Sequence, residues 1–130
     1  MYLLDTDILV SIKRGKKGIQ ERLYKVGFSQ CAISEVSLAE LYVGVYKSNG
    51  SVLEPVLAFL EESLSTVSIS SSVKTYARIR AELETKGTRL EDMDLFIAAT
   101  ALEKGYTLVT HNTRHYSRIP GLKVEDWIEE

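Results

Sequence analysis

Three carboxylates in this chain stand where chemistry could be done: Asp5, Glu40 and Asp94, with Asp92 close to the last. Carboxylate oxygens are hard donors that suit cations such as Mg²⁺ or Mn²⁺. Acids gathered without a nearby lysine or arginine repel one another unless a metal sits among them. A metal so held can activate water and offset charge on a transferring phosphoryl group. Each acid also has a plainer structural use. Asp5-Thr6-Asp7 can simply cap a helix. Glu40 follows Ser37 at capping-box spacing. Asp92 and Asp94 open a helix, where the dipole favours acids. Asp94 is hardest to explain that way, because the helix it enters is apolar nearly all round, from Leu95 to Leu102, and such a helix is buried. Asp94, Ala98 and Ala101 share one face while Asp92 points nearly opposite. Asp94 is therefore the acid expected to face the site, with Asp92 capping the helix or supporting the site from outside.

Other constellations are excluded by pattern. His111 and His115 lie four apart in a polar loop without cysteines or a His-Glu-x-x-His motif, which argues against zinc. No serine sits in a Gly-x-Ser-x-Gly elbow and no glycine-rich nucleotide loop is present.

The elements that must carry the acids follow from periodicity. Tyr2-Leu3-Leu4 reads as an inner strand with Asp5 at its carboxyl end, where open α/β sheets place ligands. A helix follows over 7–13, capped by Thr6 or Asp7, then a glycine-flanked basic break at Lys13–Gly18. A second helix is expected over Ile19–Val26 and a second strand over Phe28–Ile33. Ser34 or Ser37 can cap a helix from Glu35 to about Lys47, whose Leu38, Leu41, Tyr42 and Val45 have packed-face spacing. Asn49-Gly50 ends it, and Ser51 opens another helix with Glu54 at capping-box spacing and Val52 in its apolar stripe. A third strand over Ser65–Ile69, a serine cluster capping a helix to about Lys86, the buried helix Asp92–Lys104 and a fourth strand Tyr106–Thr110 complete the regular part. A polar loop, His111–Gly121, leads to a short strand near Lys123–Trp127. Strands alternating with helices imply a parallel sheet covered on both faces.

The composition sets outer bounds. With 130 residues, 45% hydrophobic and 26% charged, the chain reads as one globular domain over 1–130. A net charge of −2 argues against a nucleic-acid binder held by bulk positive charge. The lone Cys31, in an apolar stretch, fits a reducing compartment. No leader pattern and no apolar run approaching about 18 residues is seen. A cytoplasmic protein without membrane contact is the expectation.

Four stretches also carry a resemblance: Tyr2-Leu3-Leu4-Asp5-Thr6-Asp7-Ile8-Leu9, Ser37-Leu38-Ala39-Glu40-Leu41-Tyr42-Val43-Gly44, Asp94 through Leu102, and Leu108-Val109-Thr110-His111-Asn112. In this order they resemble the signature blocks of PIN-domain ribonucleases, most closely the VapC toxins of toxin–antitoxin pairs. The tail from Tyr116 to Leu122, with Glu125-Asp126-Trp127, resembles that subfamily too. The resemblance implies a PIN-like three-layer α/β/α fold with a central parallel sheet of four to five strands. It implies an Mg²⁺- or Mn²⁺-dependent endoribonuclease with Asp5, Glu40 and Asp94 as metal ligands. The family often has a Thr-x-Asp-x-x-Asp-Phe type segment after the fourth strand, and the two acid places read Asn112 and His115 here. An amide oxygen at Asn112 can still ligate or position water, so Asn112 joins the catalytic set with Thr6 as a positioning partner. The resemblance further implies a homodimer, an RNA substrate, a VapB-type antitoxin, and operator DNA met only through that antitoxin. Arg14, Lys16, Arg114 and Arg118 are candidates for contacts to the RNA backbone. Two rivals stand beside this reading: a non-catalytic PIN-like RNA-binding module, and a haloacid dehalogenase-type phosphatase opening on Asp5-Thr6-Asp7.

Overall fold

A computed structural model of the chain describes residues 1–128 apart from 16, 17 and 49–52; the side chains of Lys13 and Leu53 are likewise undescribed. The expected turn at Asn49-Gly50, the Ser51 cap and Val52 lie outside the described residues. So does Lys16.

The strands are β1 (Tyr2–Leu4), β2 (Cys31–Ser34), β3 (Ser65–Val67), β4 (Thr107–Val109) and β5 (Val124–Glu125). They form one sheet in the order β3-β2-β1-β4-β5, with every neighbouring pair parallel. The helices among the described residues are α1 (Thr6–Lys13), α2 (Ile19–Val26), α3 (Glu35–Lys47), α4 (Leu53–Ser63), α5 (Val73–Lys86), α6 (Asp92–Lys104) and the single-turn α7 (Thr113–Tyr116).

Strand residues point alternately to the two faces of a sheet, and the core divides accordingly. Leu3, Ala32 and Leu108 pack with Ile79 and Leu83 of α5 and with Leu95, Ile97, Ala98, Ala99 and Ala101 of α6. Leu4, Cys31, Ile33 and Val109 pack on the opposite side with Ile8 and Leu9 of α1, Leu23 of α2, Leu41 and Val45 of α3, and Leu57 and Leu60 of α4. Apolar residues on both faces of such short strands leave no solvated side. This gives the three-layer α/β/α arrangement expected from the sequence. Burial pushes the Cys31 thiol up to about 11, so it packs as a small apolar group.

The chain runs outward from β1 through β2 to β3, then crosses back to β4 on the other side of β1. That reversal opens a crevice at the carboxyl ends of β1 and β4. The Asp5 N–H donates to the Val109 carbonyl at 2.9 Å and closes the last rung between them.

Several boundaries differ from the sequence reading. Residues Phe28–Gln30 form a 3₁₀ turn, so β2 starts at Cys31. Asp5, rather than Thr6 or Asp7, caps α1: its Oδ1 accepts from the Thr6 N–H at 2.8 Å. Ser34 caps α3 through the Val36 N–H, while Ser37 lies inside the helix and is buried. The serines at 70–72 form a 3₁₀ turn instead of capping α5 by a side chain; Ser72 Oγ turns back onto the Ile69 carbonyl. α7 occupies what reads from sequence as loop. The ends of α5 and α6 follow the usual glycine exit: Gly87 and Gly105 take left-handed φ values of 69° and 71°.

Leu95 is fully buried, whereas Met93, two residues earlier on α6, is 49% exposed. Leu95→Ala is expected to cost about 2–5 kcal/mol in urea unfolding, and Met93→Ala to stay within about 0.5 kcal/mol of the parent.

Candidate active site

A cavity of about 840 Å³ occupies the crevice beyond β1 and β4. Asp5, Glu40, Asp94 and Asn112 all line it. Each reaches it from a different element. Asp5 follows β1, Glu40 sits in the second turn of α3, Asp94 in the first turn of α6, and Asn112 just before α7.

Asp5 is 6% exposed. Its Oδ1 takes the Thr6 N–H, and its Oδ2 takes the hydroxyls of Thr110 at 2.9 Å and Tyr116 at 3.2 Å. Loss of solvation, then the charge of Asp7, raise its pKa from the usual 3.8 to about 6, against the lowering effect of the Thr110 hydroxyl and the Thr6 N–H. Thr6 Oγ1 lies 2.7 Å from Glu40 Oε1 and 3.0 Å from Ser37 Oγ, so the turn after β1 fixes an acid of α3. Asp94 Oδ2 meets His115 Nε2 at 3.1 Å. His115 thus occupies an acid's place in the resembling pattern and faces an acid there.

The three expected metal ligands share this cavity but are not drawn into one tight group. Among the described residues no three acidic, histidine or cysteine side chains stand together as a ligand set. The reason is visible in their partners: Glu40 is held by Thr6, Asp94 by His115, and Asp5 by its hydroxyls. Mutual repulsion further disfavours their approach without a cation.

The sequence offers Asp7 as a cap or as the second acid of the Asp5-Thr6-Asp7 opening, and the structure gives it more. It lines the same cavity. Its Oδ2 accepts from the His111 N–H at 3.2 Å and lies 3.4 Å from the Thr110 hydroxyl. Among the described residues its Oδ1 is buried without a hydrogen-bond partner. Burial raises its pKa, partly countered by the His111 N–H. A buried carboxylate oxygen left unsatisfied is costly, and a cation held among these acids would satisfy it. The site therefore fits a divalent metal by the chemistry of its donors. The signal for Asp7 was in the sequence: Asp7, Ser11 and, at the end of α1, Arg14 recur at helical spacing as polar residues on one side of an otherwise largely apolar helix, and all three line the cavity. Thr110 and Tyr116 had no such local signal, because their contacts to Asp5 span 105 and 111 residues.

The remaining candidates separate cleanly. Asp92 neither caps α6 nor supports Asp94. It accepts from the Tyr76 hydroxyl at 2.9 Å and pairs with Arg80 and Arg89, and chiefly that hydroxyl lowers its pKa. Arg14 is exposed on the cavity wall. Arg114 is exposed on α7. Arg118 is spent on the carbonyls of Thr88 and Arg89, at 3.3 and 3.2 Å. His111 Nδ1 reaches Asp126 Oδ2 at 2.9 Å, joining the rim to the segment after β5, whose Ile128 also lines the cavity.

A family profile described as PIN domain matches residues 2–122. The chain is 36% identical over 132 residues to the tRNA(fMet)-specific endonuclease VapC of Salmonella typhimurium, covering 97% of both chains. It is 37% identical over 137 residues to ribonuclease VapC2 of Rickettsia felis, covering 98% of both. Among solved structures it resembles VapBC2 from Rickettsia felis bound to a DNA fragment from their promoter, with a TM-score of 0.88, 32% identity and coverage of 97% of this chain and 98% of that one. DNA-bound VapBC from Salmonella typhimurium follows at a TM-score of 0.85, with 35% identity and 97% coverage of both. These matches leave no room for the haloacid dehalogenase reading. A parallel sheet with Asp5 at its switch point, an acid-lined crevice, and full-length likeness to these nucleases lead to one conclusion: the chain belongs to the PIN-domain family, in its VapC ribonuclease branch.

Proposed function

We propose that this protein is the toxin of a VapBC-type pair and hydrolyses RNA phosphodiester bonds endonucleolytically with a bound Mg²⁺ or Mn²⁺. The observation that carries the metal requirement is the unpartnered, buried Oδ1 of Asp7 beside the desolvated carboxylate of Asp5. Asp5, Glu40 and Asp94, joined by Asp7, would hold the cation. When bound it would activate water and offset charge on the scissile phosphate. Thr6 keeps Glu40 in place, and Thr110 and Tyr116 do the same for Asp5. Asn112 is suited to orient a phosphate oxygen or a water at the mouth of the cavity. Arg14 is suited to contact the RNA backbone, giving a modest salt dependence. Initiator tRNA is the first substrate to test, because the Salmonella relative is named for it. A VapB-type antitoxin and a homodimer complete the proposed assembly, with operator DNA reached through the antitoxin. Among the described residues no helix is long and apolar enough to cross a membrane. A cytoplasmic site of action is proposed with it.

A non-catalytic RNA-binding module is favoured by one observation, the lack of a closed three-residue ligand set among the described residues. Incubating purified, antitoxin-free protein with total RNA and with initiator tRNA decides between the two. Discrete fragments that require both Mg²⁺ or Mn²⁺ and Asp5, and vanish with chelator or Asp5→Asn, are expected. Binding of metal and RNA without cleavage would select the module instead.

Asp94→Asn can keep a hydrogen bond to His115, so its melting temperature should stay near the parent's. Its cleavage rate should fall by at least about 100-fold, the scale of lost metal-assisted charge stabilisation. Wild-type turnover in this variant would remove Asp94 from the site.

Asp5 also predicts a pH effect on metal-free protein. Its folded pKa of about 6 lies above the ordinary 3.8, so the folded state binds more protons between these values. Stability then falls as pH rises from about 4 to 7, by roughly 3 kcal/mol at most from this group. Chelator-treated wild type should lose stability over that window relative to Asp5→Asn, and added Mn²⁺ should restore it at pH 7. Parallel pH profiles for the two proteins would contradict this.

A further inference from the structure

We infer that Tyr116 is a positioning residue for metal binding: together with Thr110 it occupies Asp5 Oδ2 and leaves Oδ1 as the oxygen Asp5 offers to the cation. This rests on the metal reading above and goes further, since it assigns the two oxygens of one carboxylate different work.

The argument is an accounting of lone pairs. A carboxylate oxygen accepts about two hydrogen bonds. Oδ2 of Asp5 already has two donors, Thr110 Oγ1 at 2.9 Å and Tyr116 OH at 3.2 Å. Oδ1 has one, the Thr6 N–H at 2.8 Å, and keeps a free acceptor site. The two hydroxyls differ in how firmly they are held. Thr110 lies 2.9 Å from Asp5 and 3.4 Å from Asp7, so its single proton serves Asp5 better. It also accepts the Asn112 N–H at 3.1 Å, which ties the loop carrying Asn112 to the same carboxylate. Tyr116 is 1% exposed and packed in the core with the residues of α6. Its ring also meets the His115 ring edge-on, with centroids 5.2 Å apart. A ring so enclosed cannot swing away, and its hydroxyl is held on Asp5 at the cavity wall. A phenolic hydroxyl keeps its proton at neutral pH and so donates to the carboxylate. With two donors already on Oδ2, Oδ1 is the oxygen Asp5 has to offer the cation. Asp5 and Asp7, whose Oδ1 is unpartnered among the described residues, line the same cavity.

Hydrogen-bond partners of metal-binding carboxylates typically change metal affinity by about 10- to 100-fold when removed. The test is Mn²⁺ binding, followed by the electron paramagnetic resonance signal of free Mn²⁺, on wild type, Asp5→Asn, Tyr116→Phe and Thr110→Val, with thermal melts alongside. Tyr116→Phe retains the ring and is expected to melt within a few degrees of wild type while binding Mn²⁺ roughly 10-fold more weakly. The Mn²⁺ concentration for half-maximal RNA cleavage should rise by the same factor, with KM for RNA unchanged. If Tyr116→Phe does not fold, Thr110→Val removes the other donor to the same oxygen and should weaken Mn²⁺ binding comparably, with Thr110→Ser restoring it. Wild-type Mn²⁺ affinity in folded Tyr116→Phe, beside a loss in Asp5→Asn, overturns the role of Tyr116 and leaves the metal reading standing. Wild-type protein that takes up no Mn²⁺ overturns both.

Discussion

The rest of the structure depends on one costly placement: a carboxylate, Asp5, taken almost wholly out of water at the end of the central strand. An isolated buried charge is untenable, and the surrounding elements answer that cost with donors. The first turn of α1 supplies a backbone N–H, the residue after β4 a hydroxyl, and α7 a phenol. These donors soften the penalty without cancelling it, because Asp7 adds a second negative charge beside the first. The balance left over is unsatisfied negative potential, directed into the crevice. Stability is thus given up locally where the site needs it, a common arrangement at functional sites.

The topology makes this placement possible. β1 is central, with β2 on one side and β4 on the other, so helices entering from both directions converge on its carboxyl end. α3 brings Glu40 and α6 brings Asp94 from opposite layers of the sandwich. The two cores hold those layers rigid, and α6 in particular is locked by alanines with no exposure at all. Rigid layers let acids that repel one another stay within one cavity.

Much of this was legible in the sequence because it follows local rules. Helices α2, α3 and α6 match their expected bounds, since α2 and α3 have periodic apolar faces and α6 is an apolar run between an acidic start and Gly105. Asp94 stood out because an acid inside an apolar helix has few structural excuses. The strand ends were less legible. Phe28–Gln30 runs straight into the apolar Cys31-Ala32-Ile33 and reads with it as one strand, but the 3₁₀ turn after Gly27 leaves pairing with β1 to begin at Cys31. α7 is one turn long and too short to show a period. The parts of the site that escaped notice are the hydroxyls. Thr110 and Tyr116 gain their meaning only from a partner more than a hundred residues away. Asp92 illustrates the reverse case: two residues from Asp94, it faces the arginines of the loop and α5 and takes no part in the cavity.

The central position of β1 has a further consequence for how the protein comes into being. β1, the middle of the sheet, is made before the other described strands, and one of its two neighbours, β4, begins only at Thr107. Asp5 therefore waits for most of the chain before it meets Thr110 and Tyr116, and the wall completed by Ile128 is later still. Such distant pairings slow folding. The acid-lined crevice cannot exist on a nascent chain, so an unfinished copy has the acids of a nuclease without the cavity that would make them one.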